Sequence, residues 1–63
     1  MSYYSEYKVE YWVKDRDDAL VQRFNEDALY HARETALNVS GRVYEVTLDI
    51  TLEGVGVVSV MEI

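Results

Sequence analysis

The chain has 63 residues without Cys or Pro, and its twelve acidic residues outnumber its six basic ones to give a formal net charge of −6. This length fits one domain, residues 1–63, and the lack of Cys excludes disulfides and thiolate sites. The charge disfavours direct binding to nucleic acid or to an anionic membrane. A domain this small buries little surface and has a small stability margin. Because small domains often gain stability by oligomerisation, we expect a homodimer.

The N-terminal residues contain no basic region followed by an apolar core, and no apolar run has the length of a membrane span. We therefore expect no signal peptide and no membrane partner. The expected location is the cytoplasm, or the host cytoplasm if the protein is viral.

The first expected element is a strand from about Tyr4 to Lys14, in which apolar and polar residues alternate. One face should meet a helix and consists of Tyr7, Val9, Tyr11 and Val13. The other face should point away from the helix and consists of Tyr4, Glu6, Lys8, Glu10 and Trp12.

The second expected element is an amphipathic helix from about Asp15 to Leu37, where the apolar residues follow a helical period. Asp15 would cap it, and the next two aspartates would lie in its first turn, where the helix dipole favours negative charge. Asn38 would then adopt the left-handed conformation after the last turn. The buried stripe would be Leu20, Val21, Phe24, Ala28, Leu29, Ala32 and Ala36.

Alternation returns in a second strand, from about Arg42 to Leu52, and a third strand follows a tight turn at Glu53–Gly54. The second strand would point Tyr44, Val46, Leu48, Ile50 and Leu52 towards the helix. In the third strand a two-residue turn would place Val55, Val57, Ser59, Met61 and Ile63 on the same inner face. A looser turn that uses Gly56 would exchange the two faces, and both registers stay open.

The expected fold is α+β with the order β-α-β-β, a three-stranded antiparallel sheet of strand order 1-3-2 and one helix on one face. The third strand has a single charge, Glu62, and is apolar on both faces, so it is placed in the middle of the sheet. A helix of about 23 residues would span roughly 34 Å. An 11-residue strand would span roughly 36 Å, so the two lengths match.

The sequence contains no arrangement typical of catalysis, and we expect neither an enzyme nor a cofactor. His31 is the one histidine, and there is no glycine-rich phosphate loop. Asp27, His31 and Glu34 share a helix edge, but one nitrogen ligand favours a simple Asp27–His31 pair over a metal site. The aspartates from Asp15 lack the spacing of a calcium loop.

The strongest candidate site is the outer face of the sheet, where apolar residues stand among acidic ones. The predicted protein interface is Tyr4, Trp12, Val43, Val58 and Val60. The predicted acidic partner surface is Glu6, Glu10, Glu45, Asp49 and Glu62.

These features favour a non-enzymatic acidic protein-binding module that dimerises through the outer sheet face or an edge strand. Its acidic surface would suit a basic or nucleic-acid-binding protein. By analogy of charge and size, the most specific hypothesis is an inhibitor, encoded by a phage or a mobile element, that mimics nucleic-acid charge. The alternative is a homo-oligomer that binds a small ligand or cofactor, with Trp12 and tyrosines stacked on an aromatic ring.

Overall fold

The computed structural model describes residues 4–63, which form one antiparallel sheet with a helix on one of its faces. The elements in chain order are β1 (Ser5–Lys14), β2 (Leu20–Asn25), α1 (Leu29–Asn38), β3 (Arg42–Thr51) and β4 (Gly54–Glu62). The sheet has the order β2-β1-β3-β4. The expected three-stranded sheet of order 1-3-2 is therefore wrong, because a further strand precedes the helix and β1 pairs directly with β3.

The segment between β1 and α1 folds as a turn and a strand because its aspartates bond to nearby backbone. Asp15 Oδ1 accepts hydrogen bonds from the backbone N–H groups of Asp17 and Ala19, at 2.9 and 3.0 Å. Asp18 has a φ of 67°, in the left-handed region that Asp tolerates in turns. The expected helix start at Asp15 is wrong because this turn competes for the same aspartates.

The helix has ten residues, from Leu29 to Asn38, and packs on the sheet through small side chains. Ala32 and Ala36, one turn apart, are its buried residues. Ten helical residues span about 15 Å, whereas the ten residues of β1 span about 33 Å. The expected match between helix and strand lengths is therefore wrong, and α1 covers only part of the sheet.

The exit from the helix requires a glycine because two backbones approach closely there. Ser40, with a φ of 53°, takes the left-handed conformation expected of Asn38. The next residue, Gly41, donates its N–H to the oxygen of Ala36 at 2.8 Å. A Cβ on Gly41 would lie 1.9 Å from the backbone oxygen of Lys14, so a side chain does not fit.

Cross-strand pairing defines the two faces of the sheet. Val13 pairs with Val43 and Tyr11 with Glu45, so the odd-numbered residues of β1 and β3 share the face under α1, here called the helix face. The even-numbered residues share the opposite face, here called the open face. The expected sidedness of β1 is confirmed, although Tyr7 on that face is 67% exposed. The expectation that Val46 and its even-numbered neighbours in β3 meet the helix is wrong.

The buried core is small and lies on both faces. Beneath the helix it consists of Val13, Ala32, Ala36 and Val43, with Tyr11, Phe24, Leu29 and Val39 partly buried against them. Val46 and Leu48 are also buried, on the open face. Phe24, expected in the buried stripe, is partly buried in the helix-face core with Tyr11, whereas Val46, Leu48 and Ile50, expected on that face, lie on the open face. Leu20, also expected in the core, is 51% exposed.

The expected β3–β4 hairpin is confirmed, but its two-residue turn is Leu52–Glu53 rather than Glu53–Gly54, and β4 lies at the edge of the sheet. The strands end at Thr51 and resume at Gly54, whose φ of 144° suits glycine. Thr47 pairs with Ser59 and Leu48 with Val57, which leaves an extra residue in a β-bulge.

That extra residue is Val58, and it exchanges the two faces of β4 along the strand. Before the bulge, Val55 and Val57 share a face with Ile50 and Leu48, as the expected register has it, although that face is the open one. After the bulge, Ser59 and Met61 pair with Thr47 and Glu45 on the helix face, so the expected register fails there.

The molecule is elongated for its length. Its principal-axis extents are 48 × 22 × 15 Å, and its radius of gyration is 13.3 Å. A compact domain of this length would have a radius of gyration of about 10.6 Å.

Among residues 4–63, no helix is long and apolar enough to cross a membrane.

Candidate interaction surface at the β4 edge

β4 is an apolar edge strand that no other element covers. All nine of its residues are exposed, and it has contacts with β3 but none of note with α1. Its exposed apolar side chains, at 53–65% exposure, are Val55, Val57, Val58, Val60 and Met61. A long apolar edge presents unpaired backbone groups to any strand that can reach it, and proteins usually protect such edges.

The opposite edge, β2, has that protection. It has only six residues, among them the charged Arg23, and its pairing with β1 is interrupted by a register shift beside Lys14. The turn that precedes it carries Asp15, Arg16, Asp17 and Asp18. Short length, irregular pairing and nearby charge are the features that discourage strand addition, so the two edges differ in kind.

The backbone of β4 has one rim bonded to β3 and one free rim. The N–H of Ile63 donates to the oxygen of Val43 at 3.0 Å, which places the backbone groups of Ile63 on the inner rim. Alternation then puts those of Met61 on the inner rim and those of Val60 and Glu62 on the outer rim. Before the bulge, Gly54 and Gly56 pair with Thr51 and Asp49 on the inner rim, so Val55 and Val57 lie on the outer rim. The outer rim therefore offers free donors and acceptors on both sides of the bulge.

The open face beside β3 is covered by side chains of its own sheet. Trp12 donates its indole N–H to Glu10 at 2.9 Å, and Lys8 lies 3.6 Å from the same carboxylate. The Arg23 guanidinium lies 5.7 Å from the centre of the Trp12 ring, in cation–π range. This network lies beside the buried Val46, so the central open face is already supplied with partners.

The structure separates the residues of the predicted interface. Val43 is buried under the helix, at 4% exposure, so its expected exposure is wrong. Trp12 lies in the open-face network, and Tyr4 lies near the start of β1, where its hydroxyl donates to Glu6. Val58 and Val60 stay exposed on β4, which leaves the edge strand as the part of the prediction with free apolar surface.

The hydrogen bond between Tyr4 and Glu6 has an electrostatic consequence. It raises the pKa of the Tyr4 hydroxyl above its usual value, with further contributions from desolvation and from the negative charge of Glu6. The bond therefore favours the neutral phenol.

The predicted acidic surface is divided between the two faces. Glu6, Glu10 and Glu62 lie on the open face, whereas Glu45 and Asp49 lie on the helix face. Asp49 accepts a hydrogen bond from the Ser5 hydroxyl at 2.8 Å. The expectation that all five carboxylates share one face is wrong, because it assumed the opposite sidedness for β3.

The open face is nearly balanced in charge, and the rest of the chain is strongly acidic. Of the twelve acidic and six basic residues, three acidic and four basic ones lie on the open face, the latter being Lys8, Lys14, Arg23 and Arg42. Elsewhere nine carboxylates accompany only Arg16 and Arg33. The negative potential therefore arises from the turns, the helix and the helix face.

A groove of about 320 Å³ lies between the helix and the end of β4. Its lining includes Arg33, Ala36, Leu37, Arg42, Val43 and Ile63. Arg42 is 3.9 Å from Glu62, whereas Arg33 has no ion pair within residues 4–63. The groove thus combines an apolar floor with positive charge in an otherwise acidic molecule.

The helix residues considered as metal ligands do not form a site. The His31 ring packs edge-to-face on Tyr30, with centroids 5.8 Å apart, and is exposed. The expected Asp27–His31 pair does not form, since no ion pair joins them in the described structure. Residues 4–63 contain no group of three potential metal-ligating side chains.

No family model, no curated protein and no solved structure matches this chain.

The sequence prediction missed the edge position of β4 and the exposed residues that flank it. A strand that is apolar on both faces fits the middle of a sheet, but it fits equally well an edge that another chain covers. The signal that could have distinguished them lies in residues 15–25, where recognition of a further strand would have given β1 a second neighbour.

Proposed function

We propose that this chain is a non-enzymatic protein-binding module that forms a homodimer by antiparallel pairing of β4 with β4 of a second copy. The observation that supports the proposal is the exposure of the whole nine-residue strand, with five large apolar side chains. Strand addition satisfies an outer backbone rim and shields apolar side chains in one step. The product would be a continuous eight-stranded sheet.

Charge favours this strand over any other surface as the place of contact. Two copies with a net charge of −6 repel each other, and the repulsion is least where the contact contains few carboxylates. β4 contains one charged residue, Glu62, at its end. The elongated shape and small core of the monomer are consistent with a fold that gains stability on assembly.

The decisive experiment is sedimentation equilibrium over a wide concentration range, at micromolar concentrations and above. We expect the mass to rise from 7.3 kDa towards that of a dimer. Val57→Lys should shift the equilibrium towards monomer, since it places an ammonium group in an apolar contact. The matched control is Leu20→Lys on the β2 edge, where Leu20 is similarly exposed.

A monomer at every concentration would remove the proposal. If Leu20→Lys weakened the dimer as much as Val57→Lys, the dimer would remain but its contact would not be β4. Trp12→Glu is a poor probe, because Trp12 is bonded to Glu10 and packed on Arg23 within the monomer.

A basic protein is the second partner that we propose, on the acidic surface that β4 pairing leaves free. The support is the concentration of nine carboxylates away from the open face. Neutralising Glu34, Glu45 and Asp49 to Gln or Asn should slow association with such a partner, and the effect should fall as salt screens it. Neutralising Glu6, which lies on the open face among basic residues and outside β4, is the control.

The pull-down that supplies the partner uses lysate of the source cells at low salt. We expect the wild type to recover a basic or nucleic-acid-binding protein. The variant with Glu34, Glu45 and Asp49 neutralised should lose that binding, and the control variant should keep it. Equal binding by both variants would mean that the acidity serves only solubility. The alternative of a stacked aromatic ligand has no comparable support, because the Trp12 ring is already in contact with Arg23.

A further inference from the structure

We infer that the groove beside the helix receives the β3–β4 turn of the second copy, with Leu52 on its apolar floor and Glu53 against Arg33. This contact rests on the proposed β4 pairing and adds a second, specific contact at each end of the paired strands. By symmetry it would form twice, because each copy supplies one turn and one groove.

The position of the turn follows from the length of β4. If the outer-rim residues of β4 pair with those of a second copy, Val57 lies opposite Val60 and Val55 opposite Glu62, so Gly54 lies beside Ile63 of that copy. The two residues before Gly54 are Leu52 and Glu53, which form the hairpin turn. They therefore project past Ile63 of the other copy, at the end of the strand that lines the groove.

Exposure singles out the same two places on the surface. Leu37, on the groove, and Leu52, on the turn, are the most exposed large hydrophobic side chains within residues 4–63, at 82% and 80%. Nothing in the monomer explains two such leucines at opposite ends of β4. Full-length β4 pairing would bring the Leu52 of each copy to the Leu37 of the other, and both would lose contact with water.

Charge is complementary at this contact in a way that it is not elsewhere. Glu53 is an exposed carboxylate at the tip of the turn, and Arg33 lies at the groove without an ion pair in the described part of the chain. Arg16 is the one other basic residue away from the open face, and it lies in the distant β1–β2 turn. Opposite charges facing each other fix the register of a symmetric dimer as well as its affinity.

Charge reversal tests the contact, because two variants with the same net charge should have different effects on the dissociation constant. Glu53→Lys and Asp17→Lys both change the net charge from −6 to −4, which reduces repulsion between the copies. Asp17→Lys should therefore leave the dissociation constant unchanged or lower it. Glu53→Lys should raise it by about 10-fold, since it places a lysine beside Arg33.

The reciprocal variants complete the cycle. Arg33→Glu should weaken the dimer more than Arg16→Glu, although both change the net charge from −6 to −8. The double variant Glu53→Lys/Arg33→Glu should return to within about 3-fold of wild type, because the reversed charges meet across the interface. Sedimentation equilibrium gives all of these constants, and circular dichroism checks the fold of each variant.

Similar constants for Glu53→Lys and Asp17→Lys, or no recovery in the double variant, would overturn the turn-to-groove contact. The proposed function would survive that result if the wild type dimerises and Val57→Lys weakens it. A wild-type chain that stays monomeric would remove both proposals together.

Discussion

The helix-covered part of the sheet and the β4 hairpin use similar residue types but differ in what surrounds them. Val13 and Val43 lie under α1 at 0% and 4% exposure. Val57 and Val60 occupy the same kind of alternating strand positions, yet each is more than half exposed. Valine therefore stabilises the monomer at one place and, in our proposal, stabilises an assembly at the other. The separation predicts that substitutions will affect either folding or association, according to the region.

The largest effect should come from Gly41, at the exit from the helix, and Gly56 in β4 supplies the comparison. Gly41→Ala would bring a Cβ against the backbone oxygen of Lys14 and should cost more than about 3 kcal/mol. For 63 residues the total free energy of unfolding is roughly 3–9 kcal/mol. Gly56→Ala meets nothing within 4 Å and should change stability by less than about 1 kcal/mol.

Urea denaturation followed by circular dichroism, at a fixed protein concentration, measures both glycine variants. A Gly41→Ala protein as stable as Gly56→Ala would show that the helix exit does not approach β1 as closely as described.

A smaller effect is expected where aromatic and aliphatic residues of β2 differ in burial. Phe24→Ala should cost about 2–3 kcal/mol, below the range of about 3–5 for a fully buried ring, because Phe24 is only partly buried. Leu20→Ala, at a half-exposed position of the same strand, should cost less than about 1 kcal/mol. Thermal unfolding compares the two, and equal losses would place Leu20 in the core.

The backbone of β4 allows folding and association to be separated within one strand. N-methylation of Val60, introduced by chemical synthesis, removes an outer-rim donor and should weaken the dimer by roughly 30-fold, since both copies lose bonds. The monomer should fold normally. N-methylation of Met61 removes an inner-rim donor and should instead lower the stability of the fold.

Sedimentation gives the association constant of each synthetic protein, and chemical denaturation gives its stability. Equal effects of the two methyl groups on association would contradict an outer rim that is reserved for a partner.

Much of the local structure was predictable from the sequence, since alternation gave β1, β3 and β4 close to their observed ends. The turn and strand from Asp15 to Asn25 were not predictable from period alone, because even spacings such as Leu20 to Phe24 fit a helix and a strand alike. The aspartates there suit a helix start and a turn equally well. Once that segment was read as helix, the strand order and the sidedness of β3 followed incorrectly.

The candidate site was predictable in composition but not in place. Val58 and Val60 were expected to be exposed and are, whereas Val43 was expected beside them and lies in the core. Strand alternation divides residues into two sets but does not say which set meets the helix, and each half of β3 has apolar residues. The bulge at Val58 also exchanges the two faces of β4, and no residue type at this position predicts a bulge.

The smallest predicted effects test the turn on which the strand β2 depends. Asp15→Ala removes the acceptor for the N–H groups of Asp17 and Ala19 and should cost about 1 kcal/mol. Asp18→Gly relieves a left-handed residue and should stabilise by a few tenths of a kcal/mol, with little loss from the exposed Lys14–Asp18 pair. The hydrophobic period of this segment also fits a long helix, in which residue 18 would lie near the first turn. In such a helix Asp18→Gly would lower the helix propensity and destabilise the protein by up to about 1 kcal/mol. The sign of that one substitution, measured by urea denaturation with Asp17→Ala as a neutral control, therefore separates a β-hairpin from a long helix. A destabilised Asp18→Gly protein would contradict the β1–β2 turn and therefore the four-stranded sheet.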